Sequence, residues 1–141
     1  MLVIEKQQLE SKITEALSKH RTAAFATVED NKPKVRYMAV FHDGMNIYLA
    51  TDRKTHKIEE LKRNPNISLL LGYEPSSPLQ VVEVEGQADI TKDDSLRSKL
   101  WNDEMKRWFD GPEDPNYVIL DIKASEIRYI DGQDKPQVWT P

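Results

Sequence analysis

The chain has 141 residues, of which 38% are hydrophobic and 31% charged, and its 24 acidic and 20 basic side chains give a net charge of −4. This length predicts one globular domain, 1–141, that buries roughly 70% of the surface of its unfolded chain. The sequence contains no cysteine, which excludes thiol catalysis, iron–sulfur clusters, cysteine zinc sites and disulfides.

Charge and the N-terminus also restrict the partners. A slight acidic excess argues against nucleic acid, because DNA- and RNA-binding proteins carry a strongly basic face. Met1–Ile4 are followed at once by a polar run, so we expect no signal peptide, and no later segment is apolar enough to cross a membrane. We therefore expect a cytoplasmic protein with small-molecule ligands.

The first half of the chain indicates one helix followed by a β-meander. Apolar residues at helical spacing predict an amphipathic helix over about 5–20. Short β-rich runs separated by turn residues follow at 22–28, 34–42 and 46–51. Helical spacing returns at 53–64, and Pro65 ends it.

The second half returns to strands. A strand at 67–73, a loop at Pro75–Pro78 and a clearly alternating strand at 79–90 come first. A helix then begins near Lys92, with an apolar stripe that continues to Trp108. The last predicted elements are two strands at 117–123 and 126–130 and an irregular tail at 131–141. Many antiparallel strands with three helices predict an α+β domain whose sheet, at about 22–130, curls into a small barrel.

The common catalytic motifs are absent from the sequence. The five glycines form no phosphate-binding loop, so side-chain cations would have to bind any phosphate. His20, His42 and His56 form no metal-binding pattern, and we predict no metal site. No serine-hydrolase motif is present either.

The stretch Thr51–Lys57 is the most informative, because a strand passes into a helix there. Arg53, Lys54 and Lys57 lie at the predicted helix start, although cations there oppose the helix dipole. Free backbone N–H groups together with fixed cations form a good receptor for a phosphate. A solvated basic face is the alternative interpretation.

Two further polar residues occur in apolar surroundings. Arg36 shares one face of its predicted strand with Met38 and Val40, so it needs a partner: either a phosphate bound near Arg53 and Lys54, or solvent or a surface carboxylate. Gln80 begins the apolar face of the alternating strand, where the edge of a heterocycle would satisfy its amide; a frayed strand end is the alternative. The aromatic residues of the third helix are assigned to the core or a dimer seam, namely Trp101, Trp108 and Phe109.

Residues 9–131 together resemble a known family. The matching segments are Val35–Met38, Leu49–Leu61, Asn64–Leu70, Gln80–Gly86, and Leu100–Trp101 with Lys106–Phe109. Their order and spacing resemble the FMN-binding split β-barrel proteins of the pyridoxamine 5'-phosphate oxidase type, and within these the short bacterial general stress proteins.

The resemblance implies a six-stranded antiparallel split β-barrel with Greek-key topology, flanked by helices, that binds FMN at the interface of a homodimer. Arg36, Arg53 and Lys54 would then hold the FMN phosphate, with Lys57 as a further contact. The remaining implied contacts are Tyr37 and Met38 along the flavin, Ala50 and Thr51 at its ribityl and phosphate end, and Gln80 at the isoalloxazine edge.

Two departures from the family pattern argue against oxidation of pyridoxine or pyridoxamine phosphate. Members with that activity carry a lysine five residues after the strand arginine, where this chain has Phe41. They also end in a segment with arginine and histidine, which is absent from Asp131–Pro141.

The sequence thus predicts an FMN-dependent oxidoreductase, of flavin reductase or oxidase type, with a small-molecule electron donor or acceptor. No catalytic side chain can be named, because the flavin itself would be the redox group. The alternatives are a non-catalytic flavin-binding or flavin-sequestering protein, and a split barrel that binds deazaflavin or haem.

Overall fold

The structure, a computed structural model, describes residues 3–74, 80–132 and 135–141, apart from the side chain of Ile4. The predicted Pro75–Pro78 loop lies outside these residues. The elements in chain order are α1 Val3–Lys19, β1 Thr22–Glu29, β2 Lys32–Ala39, β3 Phe41–Asp43, β4 Asn46–Asp52, α2 His56–Arg63, β5 Asn66–Leu71, β6 Gln80–Thr91, α3 Asp94–Leu100, a 3₁₀ helix Asp103–Arg107, β7 Tyr117–Asp131 and β8 Gln137–Trp139. Within the described residues, no helix combines the length and apolarity that a membrane span requires.

The strands form one antiparallel sheet in the order β2-β1-β5-β6-β7-β4-β3, with β8 paired to β7. β2 and β3 stand at opposite ends of this order, yet only Val40 separates them in the chain. The sheet must therefore curl until its two ends meet. The α+β class and the curled antiparallel sheet are confirmed; the described residues contain eight strands, of which β3 and β8 have three residues each.

Short turns join the neighbouring strands as their composition predicts. Asp30 and Asn31 both have positive φ, 52° and 62°, in the two-residue turn between β1 and β2. Gly44, with φ 58°, lies in the hairpin between β3 and β4. Asparagine, aspartate and glycine tolerate this backbone region, which matches the right-handed twist of a hairpin.

The concave side of the sheet holds the main hydrophobic core. Strand residues such as Phe25, Leu49 and Val84 are fully buried there against apolar residues of α1 and α2, including Ile13 and Leu61. A smaller buried cluster lies beside β7 and consists of Met105, Phe109, Tyr117 and Ile119. Burial raises the pKa of Tyr117 to about 12, and its hydroxyl donates to the backbone oxygen of Arg97 at 2.9 Å. This smaller cluster fixes the segment after α3 against the sheet.

The prediction of two final strands was wrong, because β7 runs without interruption from Tyr117 to Asp131. Its register against β6 shifts between Glu85 and Gly86, and the hydroxyl of Ser125 donates to the backbone oxygen of Glu85 at 3.0 Å. The irregularity that resembled a strand break is thus accommodated within one strand. A side chain at Gly86 would place its Cβ 2.2 Å from the backbone oxygen of Lys123, so this close approach requires glycine.

The irregular tail was also predicted wrongly over 137–139, which form β8 along β7. Trp139 is 9% exposed, and its indole Nε1 donates to Glu10 at 2.7 Å. A three-residue strand is too short for an alternation pattern to reveal it.

Two helix boundaries differ from the prediction. α3 ends at Leu100, and the 3₁₀ helix begins after Asn102, whose side chain accepts from the backbone N–H of Glu104. α2 begins at His56 with Thr55 as its N-cap, so Arg53 and Lys54 lie in the turn before the helix. The predicted basic helix start is therefore a basic turn, within which Asp52 accepts from the backbone N–H of Lys54 at 2.8 Å.

Candidate functional site

A cavity of about 520 Å³ opens where β2, β4 and the start of α2 meet the 3₁₀ segment. It is lined by Arg36, Tyr37, Met38, Ala39, Phe41, Ala50, Thr51, Asp52, Thr55, Lys57, Met105, Trp108 and Phe109. Six of the nine predicted binding residues are in this set, namely Arg36, Tyr37, Met38, Ala50, Thr51 and Lys57. The structure thus brings together residues from three elements that the sequence analysis had selected separately.

One end of the cavity is basic and rich in hydroxyl groups. Lys57 Nζ donates to Thr51 Oγ1 at 2.9 Å and to Thr55 Oγ1 at 3.1 Å. Burial, together with the nearby charge of Arg36, lowers the pKa of Lys57 from its usual value of 10.5. The charges of Asp52, which also lines the cavity, and of Glu60 partly offset this lowering. A bound anion would add to their effect, because an opposite charge favours the protonated lysine.

Arg36 reaches the same end from β2. Its Nη1 donates to Thr27 Oγ1 at 2.8 Å, and its Nη2 lies 3.2 Å from Glu60 Oε2. Burial by itself would raise the pKa of Glu60, but the hydrogen bonds from Thr27 and Arg36 and the Arg36 charge bring it below 4.5. The sequence analysis offered a phosphate, solvent or a surface carboxylate as the partner of Arg36; the structure shows a buried carboxylate.

The other end of the cavity is apolar and aromatic. Met105 and Phe109 are buried, whereas Trp108 is 67% exposed at the rim. Phe41 and Met38 are partly buried lining residues. Such walls suit a flat, largely apolar ring, because most ligand pockets combine apolar surfaces with a few well-placed polar groups.

Arg53 and Lys54 do not line the cavity. Arg53 Nε donates to Asn116 Oδ1 at 2.9 Å, and its backbone N–H donates to the backbone oxygen of the same residue. Asp114 lies near both cations; hydrogen bonds from the backbone N–H groups of Asp110 and Asn116 lower its pKa, with smaller effects from Lys54 and Arg53. The assignment of these two cations to a phosphate stays a prediction.

Gln80 does not line the cavity. It pairs with Asp131 on β7, whereas Thr51 in the cavity pairs with Val118 near the start of the same strand. The intervening residues of β7 span about 40 Å of extended chain. The Gln80 side chain bonds Tyr129, while its buried Oε1 has no partner among the described residues. Gln80 and the cavity are thus not brought together within one chain.

Sequence analysis missed part of the lining, including Thr55, Phe41, Met105, Trp108 and Phe109. Phe41 appeared there only as a departure from the family pattern, and Trp108 and Phe109 were assigned to the core or a dimer seam. The core assignment is confirmed for buried Phe109, whereas Trp108 is exposed where it lines the cavity. No local pattern distinguishes an aromatic residue at a cavity rim from one in the core.

Three side chains capable of metal binding lie beneath the basic end. Glu29, His56 and Glu60 each place one ligand atom within 4.8 Å of the others, with His56 and Glu60 one helical turn apart. Each carboxylate already contacts a cation, Glu60 with Arg36 and Glu29 with Lys34. Because these cations compensate the carboxylates, the group is explained as an ion-pair network.

Comparison with known proteins identifies the family and supports the fold. A family model described as pyridoxamine 5'-phosphate oxidase matches residues 9–131. General stress protein 26 of Bacillus subtilis (strain 168) is 41% identical over 136 residues, which cover 96% of this chain and 97% of that protein. The crystal structure of General Stress Protein 26 from Bacillus anthracis str. Sterne shares 39% identity over 95% of this chain and 99% of that chain, with a TM-score of 0.85.

A more distant structure shares the fold alone. The heme binding protein from Mycobacterium smegmatis is 12% identical, with a TM-score of 0.77 over 93% of this chain and 57% of that chain. The family match and the high identity to proteins of nearly equal length are the stronger findings. The chain therefore belongs to the pyridoxamine 5'-phosphate oxidase family, as a homologue of general stress protein 26.

Proposed function

We propose that this protein binds FMN in the cavity between β2, β4 and α2 and acts as an FMN-dependent oxidoreductase. One observation carries the proposal: the cavity combines two neighbouring cations, Arg36 and Lys57, with a largely apolar and aromatic lining. FMN has a matching combination, with a phosphate at one end and a flat ring system at the other. Arg36 and Lys57 would hold the phosphate, with the hydroxyls of Thr51 and Thr55 beside them.

The rest of the lining suits the ring and its side chain. Met38 lies two residues from Arg36 on the same face of β2, where it would contact the flavin, whereas Tyr37 lines the cavity from the opposite face of that strand. Ala50 precedes Thr51 on β4, and its small side chain leaves room for a ribityl chain. When bound, FMN supplies hydride and electron transfer, while these residues bind it, orient it and restrict the access of water.

We further propose that the functional unit is a cytoplasmic homodimer. Val35, Tyr37 and Leu70 are 70%, 83% and 47% exposed, and strand pairing places them with Ala24 on the outer face of the sheet. An apolar face of this kind is typical of an interface. If Gln80 contacts the ring edge, it does so from a second copy, because it does not line the cavity of its own chain.

The finer description of the fold belongs to the same proposal. Six described strands have at least six residues, whereas β3 and β8 have three each. We interpret those six longer strands as a split barrel with Greek-key topology.

In this proposal the protein accepts a different substrate from a pyridoxamine phosphate oxidase. Phe41 lines the cavity in the place of the lysine that would hold a substrate phosphate. We therefore expect an uncharged or apolar electron donor or acceptor over the exposed part of the cavity, and no oxidation of pyridoxine phosphate.

A titration tests the proposal. The purified protein is titrated with FMN while flavin fluorescence is followed, and one FMN per chain is expected at saturation. The loaded protein is then mixed with NADH or NADPH, and a panel of acceptors follows; flavin reduction and reoxidation support an enzyme. Stoichiometric binding without turnover would instead support a flavin-sequestering protein.

Haem and deazaflavin are the alternative ligands, and their absorbance spectra on titration distinguish them. No histidine is among the residues that line the cavity, and His42 already contacts Ser18 and the backbone of Gly44. Within the part of the chain that the structure describes, the cavity thus offers haem no axial histidine, which favours FMN over haem.

A further inference from the structure

A buried carboxylate lies directly behind the basic end of the cavity. Glu60 on α2 is 2% exposed and has Ile58 and Leu61 as its buried neighbours on the helix. Burial of a charged carboxylate costs free energy that an apolar residue would not cost. Glu60 is therefore stable at this position only because its polar contacts offset the loss of hydration. One of those contacts is with Arg36, which lines the cavity.

The contacts form a closed hydrogen-bonded ring of three side chains. Arg36 Nη1 donates to Thr27 Oγ1 at 2.8 Å, and the Thr27 hydroxyl donates to Glu60 Oε2 at 2.5 Å. Arg36 Nη2 closes the ring on the same carboxylate oxygen at 3.2 Å. Thr27 is fully buried and acts both as donor and as acceptor, so the ring holds the guanidinium from within the protein.

The ring leaves part of Arg36 available to a ligand. The second Nη1 hydrogen points to the backbone oxygen of Phe25 at 3.5 Å, and the Phe25 ring lies 5.8 Å from the guanidinium. Among the described contacts, Nε–H and one Nη2 hydrogen have no acceptor. Of the three ring members, Arg36 is the one that lines the cavity. Glu60 and Thr27 thus contact the cavity lining through Arg36, and the charge of Glu60 also acts on Lys57.

We propose that Glu60, together with Thr27, is a positioning residue that holds Arg36 toward the phosphate of the ligand and so sets the preference for a phosphorylated flavin. This inference rests on the proposed FMN site. An arginine on β2, at the end of the sheet order, would otherwise sample many rotamers, and ordering it on binding would weaken affinity. The ring orders it beforehand.

Charge and orientation predict opposite effects when Glu60 is neutralised. Glu60→Gln adds one positive charge to the region, which by itself strengthens the binding of an anion. The same change weakens the hydrogen bond that orients the Arg36 guanidinium, which by itself weakens the binding of a phosphate. The sign of the effect therefore separates a positioning residue from a carboxylate that merely balances charge.

The experiment compares FMN with riboflavin, which shares the ring and lacks the phosphate. For each variant the ratio of the two dissociation constants is measured by fluorescence titration. We expect Glu60→Gln to reduce the preference for FMN by about tenfold, the effect of one charge-assisted hydrogen bond, with riboflavin affinity unchanged. Glu59→Gln is the matched control: it makes the same charge change on the same helix at an exposed residue paired with Lys62, and the preference should stay within about twofold.

Thr27 tests the same ring without any change of charge. We expect Thr27→Val to reduce the preference for FMN and Thr27→Ser, which keeps the hydroxyl, to restore most of it. If Glu60→Gln does not fold, which thermal melting without flavin would show, the Thr27 variants test the positioning role on their own.

An unchanged or increased FMN preference in Glu60→Gln or Thr27→Val overturns the positioning role. If the wild-type protein shows no preference for FMN over riboflavin, the proposed FMN site and this inference both fail. If the wild-type protein prefers FMN and the variants keep the same preference, this inference alone fails.

Discussion

At the scale of single residues, the structure divides the basic side chains of the predicted phosphate site into two groups. Arg36 and Lys57 line the cavity, whereas Arg53 is directed to Asn116 and Lys54 stays in the turn before α2. Because charge-assisted contacts depend on distance and direction, membership of one basic stretch does not make these cations equivalent.

This division can be tested by comparing variants of the two groups. Lys57→Met should weaken FMN binding by about tenfold to a hundredfold, since a charge-assisted hydrogen bond contributes roughly 1.5–3 kcal/mol. Arg53→Ala with Lys54→Ala should have a smaller effect if the phosphate lies at Arg36 and Lys57. Fluorescence titration with FMN measures both, and riboflavin serves as the control ligand. A larger loss in the double variant would show that the phosphate lies over the turn.

The lowered pKa of Lys57 predicts a pH dependence of binding. A phosphate favours the protonated lysine, so affinity for FMN should fall as Lys57 loses its proton. Because burial and Arg36 lower this pKa below 10.5, the fall should begin at a lower pH than an ordinary lysine would cause. The measurement is the ratio of FMN to riboflavin affinity between pH 7 and pH 10, in which ionisation of the shared ring cancels. In Lys57→Arg the ratio should stay flat over this range, and a similar fall there would assign the effect to another group.

At the scale of elements, β8 was not foreseen, although it attaches the C-terminal residues to the sheet. It pairs with β7 beyond the register shift of that strand, and Trp139 covers the core close to α1. Lys6 Nζ lies 5.5 Å from the centroid of the Trp139 ring, and Glu10 accepts a hydrogen bond from the indole N–H of Trp139. α1 and the C-terminal strand thus stabilise each other.

Replacement of Trp139 measures this contribution. Trp139→Ala should lower the free energy of unfolding by roughly 3 kcal/mol, as is common for large aromatic residues removed from a core. Val138→Ala in the same strand is the control, because Val138 is 37% exposed and faces the other side. The free energies of unfolding of the two variants are measured by urea denaturation, monitored by far-UV circular dichroism instead of tryptophan fluorescence. Equal losses would mean that the buried Trp139 side chain contributes no more to stability than the partly exposed Val138.

At the scale of the whole molecule, the curled sheet exposes an apolar outer face and separates Gln80 from the cavity. Both features are explained if two copies associate and each supplies Gln80 to the other. The exposed apolar residues of β2 and β5 are the surface that such an association would cover.

A charge on the outer face tests the association. Val35→Glu should convert a dimer into a monomer and weaken FMN binding together with it, because a charge buried at an interface is unpaired. Val3→Glu on α1 is the matched control, since Val3 is 73% exposed and lies outside the sheet. Light scattering gives the mass, and titration gives the affinity. A Val35→Glu protein that remains dimeric would place the interface elsewhere.

The sequence by itself determined the features that depend on local periodicity. Alternation of period two and helical spacing located α1, β1, β4, β5 and β6 to within a few residues, and the order of motifs led to the family. The anomalous Arg36 and the basic stretch around Lys57 were found because an arginine on an apolar face and cations near a helix start are unfavourable without a partner.

Tertiary structure alone decided which of these residues meet. The cavity depends on the pairing of β4 with β7 and on the curl that brings β2 beside β4, and both join positions far apart in the chain. Glu60 appeared as an ordinary polar helix residue, and only its place against β1 shows that it holds Arg36. Local patterns reflect the conformation of neighbouring residues, whereas a binding site depends on non-local packing, which a single sequence does not display.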